Sequence, residues 1–370
     1  MKLLEDKTRR RKADHIDICL EEDVQARTVK TGFEDIHLIH KALPEINREE
    51  IDLKVKVFNH EFSAPIIVGA MTGGTAKAEK INAAIAKAVE ELGLGMGLGS
   101  QRAAIENPKL EKTFSIARKN APTAFLIANL GGPQLVQGYG IKEAKKAIEM
   151  IEADALAIHL NPLQEAVQPE GETKFKGLME KIGEIAAALD VPVIVKETGA
   201  GIAAEEAKKF EKIGVEGIDV AGAGGTSWAA VEYYRAKKAK NSFLQRLGEA
   251  FWDWGIPTAI SLTEVVQSVS IPVIASGGIR NGVQAAKALA LGASLASLSS
   301  PILKHAVKGP EEVKKALEYM IEELRNAMFL VGADSIDKLR KVPLVITGKS
   351  LEWLRLRGLN PEIYARRSLE

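Results

Sequence analysis

The sequence contains a single cysteine, Cys19, among its 370 residues. One thiol excludes a disulfide framework and a zinc site built from cysteines, and it suits a reducing cytosol. No apolar stretch approaches the ~18 to 20 residues of a membrane span, and nothing near Met1 resembles a signal peptide. These absences predict a cytoplasmic protein with no membrane partner.

Neither sign of charge is in excess, because 50 basic residues nearly cancel 49 acidic ones. No global electrostatic field therefore points to nucleic acid or to an anionic membrane surface. An anionic ligand must be held by local clusters of basic residues. We expect a small-molecule substrate and no nucleic-acid partner.

Glycine is plentiful, and over residues 92–102 it alternates with apolar residues in LGLGMGLGSQR. A dinucleotide-binding fingerprint needs glycines at i, i+2 and i+5, and the spacing here does not fit. In a strand, the alternation places Leu94, Met96 and Leu98 on one face and the glycines on the other. Glycine within a strand indicates a close approach to the backbone. We predict a buried strand that ends at a binding site.

From about Pro65 onward, short apolar segments alternate with amphipathic ones. Near-continuous apolar strands separated by helices are typical of a parallel sheet covered on both faces. Eight such units over roughly 250 residues favour an α/β fold of the (β/α)8 TIM-barrel type, with a doubly wound open sheet as the alternative. The predicted strands cover residues 65–71, 93–99, 123–130, 154–160, 191–197, 217–223, 271–278 and 293–299.

The remaining segments complete what we predict to be a single domain over residues 1–370. Residues 1–64 form a polar, basic N-terminal extension, the barrel covers 65–332, and 333–370 form a C-terminal segment. Residues 224–270 form an insertion between the sixth and seventh strands. Such an insertion lies over the mouth of a barrel, where lids and subunit contacts occur. The alternative is a surface helix that packs its own aromatic residues.

Polar residues and glycines follow all eight predicted strands, at the end where barrel enzymes place their chemistry. The stretch ASGGIR (275–280), a predicted helix near Asn281 and then SLSS (297–300) match a phosphate site made of backbone N–H groups and a helix N-terminus. The alternative is that these glycines serve only a tight turn. A lysine that ends an apolar strand, Lys196, would be costly to bury unpaired. Beside a flavin it stabilises negative charge on the reduced ring; the alternative is a salt bridge to Glu197 or a neighbour.

Local positive charge for a second anion comes from Arg11, Lys12 and Arg102. Glu165 could hold a Mg²⁺ ion that bridges this anion, since Mg²⁺ commonly binds one or two carboxylates plus substrate phosphates. Considered alone, the RRRK stretch is typical of a solvated surface, and His15 is typical of a structural histidine.

Eight motifs connect these residues to a known family: RRRKADH, MTGG, GSQR, ANLGG, HLNPLQE, VKETG, AGAGGTSW and ASGGIR. They closely resemble those of type 2 isopentenyl-diphosphate isomerases, particularly archaeal ones, and the resemblance spans essentially the whole chain. It implies an FMN-dependent barrel that also needs Mg²⁺ and reduced flavin, with NADPH or NADH as the electron source. It further implies interconversion of isopentenyl and dimethylallyl diphosphate in isoprenoid biosynthesis, by a homo-oligomer (a tetramer or octamer).

The resemblance also assigns roles to residues. It places Mg²⁺ on Glu165 and catalytic roles on Gln164, His15 and His159. The implied substrate-binding residues are Arg11, Lys12, Ser100, Gln101, Arg102, Asn161 and Gln164. The implied FMN-binding residues are Ala70, Met71, Thr72, Ser100, Asn129, Lys196, Thr226, Gly278, Ile279, Arg280, Ser299 and Ser300. The chain departs from the family at Ser297 and around 299–300, where glycine or alanine is frequent.

The implied reaction is a 1,3-allylic proton shift. An isolated alkene is a weak base, so the developing tertiary cation needs stabilisation, which an electron-rich reduced flavin provides. Gln164 is too weak an acid to act alone, and we expect it to position or relay a proton.

Three alternatives differ from this prediction. An FMN-dependent oxidoreductase of the 2-hydroxy-acid oxidase type needs a histidine base beside the seventh strand, and the histidines at 15, 37, 40, 60, 159 and 305 do not supply one. A dehydrogenase of the IMP type needs a nucleophilic cysteine after the sixth strand, which Cys19 cannot provide. A non-catalytic flavin or phosphate carrier would not need the diphosphate and Mg²⁺ residues.

Overall fold

Eight parallel strands close into a barrel in the computed structural model, which describes the backbone of residues 2–368 and the side chains of residues 11–368. Outside the barrel, β1 pairs with β12 and β2 pairs with β3, both antiparallel. The strands are β1 Ile36–Leu38, β2 Val55–Val57, β3 His60–Phe62, β4 Ile66–Val68, β5 Gly95–Gly97, β6 Phe125–Gly131, β7 Ala155–His159, β8 Val193–Lys196, β9 Gly217–Asp219, β10 Val273–Ala275, β11 Leu295–Leu298 and β12 Leu344–Ile346.

The barrel runs in chain order from β4 to β11 and closes where β11 pairs with β4. Register partners at this closure are Ala296 with Ile66 and Leu298 with Val68. The predicted (β/α)8 barrel is confirmed, and the closure excludes the doubly wound open sheet. Most hydrogen-bonded strands are shorter than the apolar segments that predicted them.

The strand predicted from the alternating glycines is β5. Leu94, Met96 and Leu98 are buried in the core, as predicted. Gly99 shows why glycine is required: a Cβ there would lie 2.6 Å from the backbone N and C atoms of Thr72. Such a contact is far inside van der Waals distance, so the first two barrel strands can come this close only with glycine. Gly93 lies outside the strand and ends the preceding helix in the left-handed conformation, with φ +62°.

Helices cover the outside of the barrel and part of its mouth. They are α1 Lys2–Glu21, α2 Ala76–Leu92, α3 Arg102–Glu106, α4 Lys112–Asn120, α5 Gly132–Val136, α6 Ile141–Ile151, α7 Pro162–Val167, α8 Leu178–Ala186, α9 Ala204–Lys212, α10 Trp228–Lys238, α11 Ser242–Ala250, α12 Thr258–Val266, α13 Gly282–Leu291, α14 Ser300–Ala306, α15 Pro310–Val331, α16 Ile336–Leu339, α17 Gly348–Leu356 and α18 Glu362–Ala365. Among these, none combines the length and apolarity needed to cross a membrane.

The N-terminal residues contribute to both ends of the barrel. Helix α1 packs against α10 and places Ile18 in a small separate core with Val231 and Trp252. At the opposite end, Phe62 of the β2–β3 hairpin contacts the ring of Phe125, at 5.4 Å between centroids. The extension therefore covers the mouth with a helix and closes the base with a hairpin.

The segment between β9 and β10 contains α10, α11 and α12. Helix α12 packs on α9, α13 and β10, which is the position of a regular barrel helix. Helices α10 and α11 pack on each other and on α7, next to α1. The elements additional to the barrel repeat are therefore α10 and α11.

Candidate active site

A pocket of about 250 Å³ lies at the carboxyl ends of the barrel strands, beneath α1. Every barrel strand contributes to it, and α1 adds Arg11, Lys12 and His15. The structure brings nearly all the sequence-predicted site residues together here. They are Arg11, Lys12, His15, Ala70, Met71, Thr72, Ser100, Arg102, Asn129, His159, Asn161, Gln164, Glu165, Lys196, Thr226, Gly278, Ile279, Arg280, Ser299 and Ser300.

Gln101 is the predicted residue that the structure places elsewhere. Its side chain is fully buried away from the pocket. Nε2 donates to the carbonyl of Ala147 at 2.7 Å, and Oε1 accepts from the backbone N–H of Asn129 at 2.9 Å. We therefore correct its role from substrate binding to support of Asn129. Residues 100–102 turn sharply into α3, which sends neighbouring side chains in different directions.

One end of the pocket has the features of a phosphate site. Gly277 and Gly278 adopt φ values of +98° and +76°, which allow a turn there that few other residues would tolerate. The Arg280 guanidinium donates to Oε1 of Gln25, and no carboxylate in the described structure lies within 4.0 Å of it. Burial lowers the pKa of Arg280, and no neighbouring charge opposes this. A half-buried cation without a counterion fits a bound dianion.

Ser297 lines the same pocket. Its side chain is buried, and its hydroxyl has no hydrogen-bond partner among the described residues. Buried polar groups are normally paired. Together with the Arg280 charge, this orphan hydroxyl indicates a polar ligand here, and both observations fit a flavin nucleotide.

Strands β6 to β9 carry a continuous row of register partners, Gly131, His159, Lys196 and Asp219. Of these, His159 and Lys196 line the pocket. Nδ1 of His159 lies 2.7 Å from Oδ1 of Asn129. Because an amide oxygen only accepts, Nδ1 carries the proton and Nε2 is an acceptor. Burial, followed by the charges of Lys196, Lys12 and Arg11, lowers the pKa of His159 to about 3. His159 is therefore neutral near neutral pH.

Lys196 lies at the centre of this row. Its ammonium donates to the backbone carbonyl of Glu197 at 2.5 Å and lies 3.9 Å from the carboxylate of Asp219. The carboxylate of Glu197 instead accepts three backbone N–H groups, from residues 198–200. The predicted alternative of an ion pair thus exists, with Asp219 as the partner, while Lys196 still lines the pocket.

A group of oxygen atoms surrounds Glu165 on α7. Its carboxylate accepts from Nδ2 of Asn161 at 2.9 Å, from Nε2 of Gln168, and from the backbone N–H of Glu172 at 2.7 Å. The amide oxygens of Asn161 and Gln168 are buried and have no partner in the described structure. Carboxylate and amide oxygens are hard ligands that suit Mg²⁺. Among the side chains that the structure describes, no three His, Cys, Asp or Glu residues form a cluster fit for a metal, so a cation here would also need ligand oxygens from the substrate.

Basic side chains of α1 and α3 line the same pocket as Glu165. The Lys12 ammonium donates to the carbonyl of Ser100 at 2.6 Å and lies 5.1 Å from the centre of the Phe114 ring. Burial, followed by the charge of Arg11, lowers the pKa of Lys12 to about 7. Arg102 pairs with Glu106 at 2.7 Å. This end of the pocket therefore combines an oxygen-ligand site with several cations.

Sequence reasoning missed Glu232, on α10. This fully buried carboxylate accepts from Gln164 Nε2 at 3.0 Å and from Arg235 at 2.6 Å, and its Oε1 lies 3.0 Å from Nε2 of His15. Burial alone would raise its pKa, but the hydrogen bond and charge of His15 and the charge of Arg235 outweigh burial and lower it to about 2. The available signal was an acidic residue in the apolar stretch WAAVE.

The barrel and its pocket define a class of protein. A profile of the FMN-dependent dehydrogenase family matches residues 5–151 and 159–345. The solved structure of mandelate oxidase with (S)-2-phenylpropionate superposes with a TM-score of 0.60 and 19% identity, covering 92% of this chain and 98% of that one. This similarity shows a shared fold. The chain belongs to the FMN-dependent dehydrogenase family.

Relatives of much higher identity narrow this class. The isopentenyl-diphosphate delta-isomerase of Methanothermobacter thermautotrophicus is 53% identical over 358 residues, which are 97% of this chain and 99% of that protein. That of Pyrococcus furiosus is 53% identical over 355 residues, 94% of this chain and 89% of that protein. These matches confirm the resemblance predicted from the motifs and place the chain in the same family as these isomerases.

Proposed function

We propose that this protein interconverts isopentenyl and dimethylallyl diphosphate by a 1,3-allylic proton shift. The observation that carries the proposal is one pocket lined by two groups of basic residues, Arg11, Lys12 and Arg102 in one group and Arg280 by itself. Arg280 supplies an uncompensated charge at one end, which suits a cofactor phosphate. Arg11 and Lys12 lie beside the oxygen ligands of Glu165 at the other, which suits a diphosphate with Mg²⁺. Both relatives of 53% identity are named isopentenyl-diphosphate delta-isomerase, which supports isopentenyl diphosphate as the substrate of this chain.

The flavin end would hold FMN. Arg280 and the backbone around Gly277 and Gly278 would bind its phosphate, and Lys196 would stabilise negative charge on its ring. Bound reduced FMN supplies an electron-rich ring that stabilises positive charge developing on the alkene. Lys196 and Ser297 lie on the floor of the pocket and limit how deeply a ring can enter.

The diphosphate end would hold Mg²⁺ through Glu165, with the amide oxygens of Asn161 and Gln168 beside it. Hydrogen bonds from Asn161, Gln168 and Glu172 fix the orientation of the Glu165 carboxylate. Arg11, Lys12 and Arg102 would neutralise the remaining phosphate charge. This arrangement anchors the substrate by its charged end and leaves the alkene for the inner pocket.

Gln164 would position and relay a proton at the reacting carbons. Its amide is held at both ends: Nε2 donates to Glu232 at 3.0 Å, and Oε1 accepts from Nδ2 of Asn161 at 3.2 Å. The ionised Glu232 connects it to His15, whose Nε2 donates to the same carboxylate oxygen. His159 faces the pocket as a second neutral imidazole, with an unprotonated Nε2.

The alternative of a 2-hydroxy-acid oxidase lacks its base. The pocket residues that follow β10 are Ser276 to Arg280, and the described histidines in the pocket are His15 and His159, on other elements. The IMP-type dehydrogenase is equally unsupported, because Cys19 lies on α1 and burial raises its pKa to about 12. A thiol so protonated is a poor nucleophile.

The decisive experiment is proton NMR of isopentenyl diphosphate with purified protein, FMN, Mg²⁺ and dithionite, anaerobically in D₂O. We expect dimethylallyl signals to grow, with deuterium in the new methyl group and no reaction without reductant. Bound flavin without isomerisation would overturn the proposal and lead to assays with 2-hydroxy acids. The variant Lys304→Gln, on an exposed surface of α14 outside the pocket, is the matched control and should retain full activity.

Three further features belong to the proposal. NADPH or NADH would reduce the flavin, the protein would act in the cytoplasm, and it would form a homo-oligomer, a tetramer or an octamer. Phe243 and Trp254, which are 73% and 63% exposed near the α10–α11 pair, support a subunit contact there. Light scattering on the purified protein measures the oligomeric state, and stopped-flow bleaching of FMN with each nucleotide identifies the reductant.

A further inference from the structure

Asp219 is a buried carboxylate directly behind the pocket, and the function proposed above does not use it. It ends strand β9, and its side chain is 4% exposed. It does not line the main pocket; it lines a smaller cavity of about 20 Å³ inside the barrel. Lys196 lines both. Lys196 therefore stands between Asp219 and any ligand in the pocket.

The strand register places these two side chains together. Lys196 and Asp219 are partners on the neighbouring parallel strands β8 and β9, so both side chains point into the barrel. One carboxylate oxygen lies 3.9 Å from the lysine ammonium, and the other accepts a hydrogen bond from the hydroxyl of Ser276. Within the described structure, Asp219 is the one carboxylate within 4.0 Å of that ammonium.

We propose that Asp219 is a positioning residue for the cofactor: it holds Lys196 at the floor of the pocket, offsets part of its charge, and so lowers the reduction potential of bound FMN. The inference rests on FMN occupying this pocket, as in the proposed function. Reduction adds negative charge to the flavin ring, so a nearby cation favours reduction. A buried anion behind that cation disfavours reduction, and the barrel interior screens the anion's effect on the ring poorly.

The consequence concerns the chemistry of the reduced ring. A flavin of lower potential is a stronger electron donor in its reduced form. Stabilising a developing positive charge on an alkene requires such a donor. The pKa of the Asp219 carboxyl is raised by burial, and the charge of Lys196 and then the hydrogen bond from Ser276 partly oppose this rise and favour the ionised form.

The test is the midpoint potential of FMN bound to the full-length protein, measured anaerobically against a reference dye. In Asp219→Asn, we expect the equilibrium constant for flavin reduction to rise at least tenfold, which is about 30 mV for a two-electron couple. Ser276→Ala removes the hydrogen bond that favours the ionised form of Asp219. Without the hydroxyl, less of the negative charge is retained, so the potential should rise, but by less than in Asp219→Asn.

The outcomes separate this inference from the proposed function. Flavin absorbance reports whether FMN is bound, and its absence from the wild-type protein would refute the proposed site itself. If FMN is bound, an unchanged or lower midpoint potential in Asp219→Asn overturns the inference. The proposed isomerase activity is tested independently, by the NMR assay. An equal or larger rise in Ser276→Ala would attribute the shift to lost packing and also overturns the inference. If Asp219→Asn cannot be isolated with FMN, Ser276→Ala decides: a rise of less than tenfold in the equilibrium constant supports the inference, and any other result contradicts it.

Discussion

His15 on α1 and Glu232 on α10 are separated by 217 residues, yet Nε2 of the imidazole lies 3.0 Å from Oε1 of the carboxylate. The same oxygen accepts from Gln164, so one buried carboxylate joins a helix over the mouth to a residue in the pocket. Burial lowers the pKa of His15, and the neighbouring carboxylate only partly opposes this. The pair therefore consists of a neutral donor and an ionised acceptor, and it fixes the orientation of Gln164.

Replacing Glu232 by Gln should remove the negative charge of this acceptor and turn one of its two accepting oxygens into a donor. We expect isomerisation to fall by about 10²- to 10⁴-fold, the range typical of a lost proton-transfer function, with FMN still bound. NMR turnover and flavin absorbance measure the two effects. Glu170→Gln is the matched control, because Glu170 also pairs with Arg235, at 2.6 Å, but at an exposed position. An equal loss in the control would attribute the effect to Arg235 instead.

Replacing Glu165 by Gln should abolish the response to Mg²⁺. The amide has one oxygen in place of a carboxylate and lacks its charge, so the oxygen-ligand site loses its anion. We expect turnover to collapse at every Mg²⁺ concentration while FMN remains bound, as measured by a Mg²⁺ titration of activity and by flavin absorbance. Glu172→Gln, on the loop that follows α7, should behave as wild type. Unchanged turnover in Glu165→Gln would refute the metal assignment.

Substrate affinity should depend on pH through Lys12. The folded, unliganded protein holds this ammonium charge only below pH about 7, whereas the ordinary lysine value is 10.5. Between these values the unfolded chain binds a proton that the folded protein lacks, so this group's contribution to stability rises with pH across that window. Diphosphate binding must restore the proton. We therefore expect the KM for isopentenyl diphosphate to rise above pH 7, by up to about tenfold per pH unit.

Two variants separate this effect from others in the pocket. Lys12→Arg keeps its positive charge at all pH values, so the KM should stay low and independent of pH. Lys12→Met has no charge at this position, so the KM should be high and independent of pH. An unaltered pH profile in Lys12→Met would show that another group controls the pH dependence.

Gly99→Ala should destabilise the barrel. The added Cβ would meet the Thr72 backbone at 2.6 Å, and backbone cannot move aside as a flexible side chain does. We expect the free energy of unfolding to fall by about 1 to 3 kcal/mol, as for other overpacked sites, and FMN binding to weaken because Thr72 lines the pocket. Urea unfolding gives the first value. In Gly183→Ala, on α8, the new Cβ makes an ordinary 3.4 Å contact, so stability should be unchanged or higher.

Much of the fold and the site could be predicted from local sequence patterns. Apolar segments alternating with amphipathic ones identify eight strand–helix units, because burial on both faces leaves a continuous apolar signal. The polar residues after each strand then lie at one end, since parallel strands share a direction. The positions of Lys196, Glu165 and Arg280 in a single pocket follow from this topology.

Other features depend on contacts that no local pattern reports. Gln101 lies between two predicted pocket residues, yet the turn into α3 directs its side chain to Ala147 and away from the pocket. Glu232 joins the site because α10 packs against α1 and α7, which are distant in sequence. Asp219 faces Lys196 because of the register between β8 and β9.

The sequence by itself determined the barrel, the end that carries the chemistry, and the family. Each depends on periodicity, chain direction or motifs, which are properties of neighbouring residues. Only the tertiary structure decided which partners the buried carboxylates meet: His15 and Gln164 for Glu232, and Lys196 for Asp219. The physical reason is that burying a charge requires a partner, and the partner is chosen by how separate helices and strands pack.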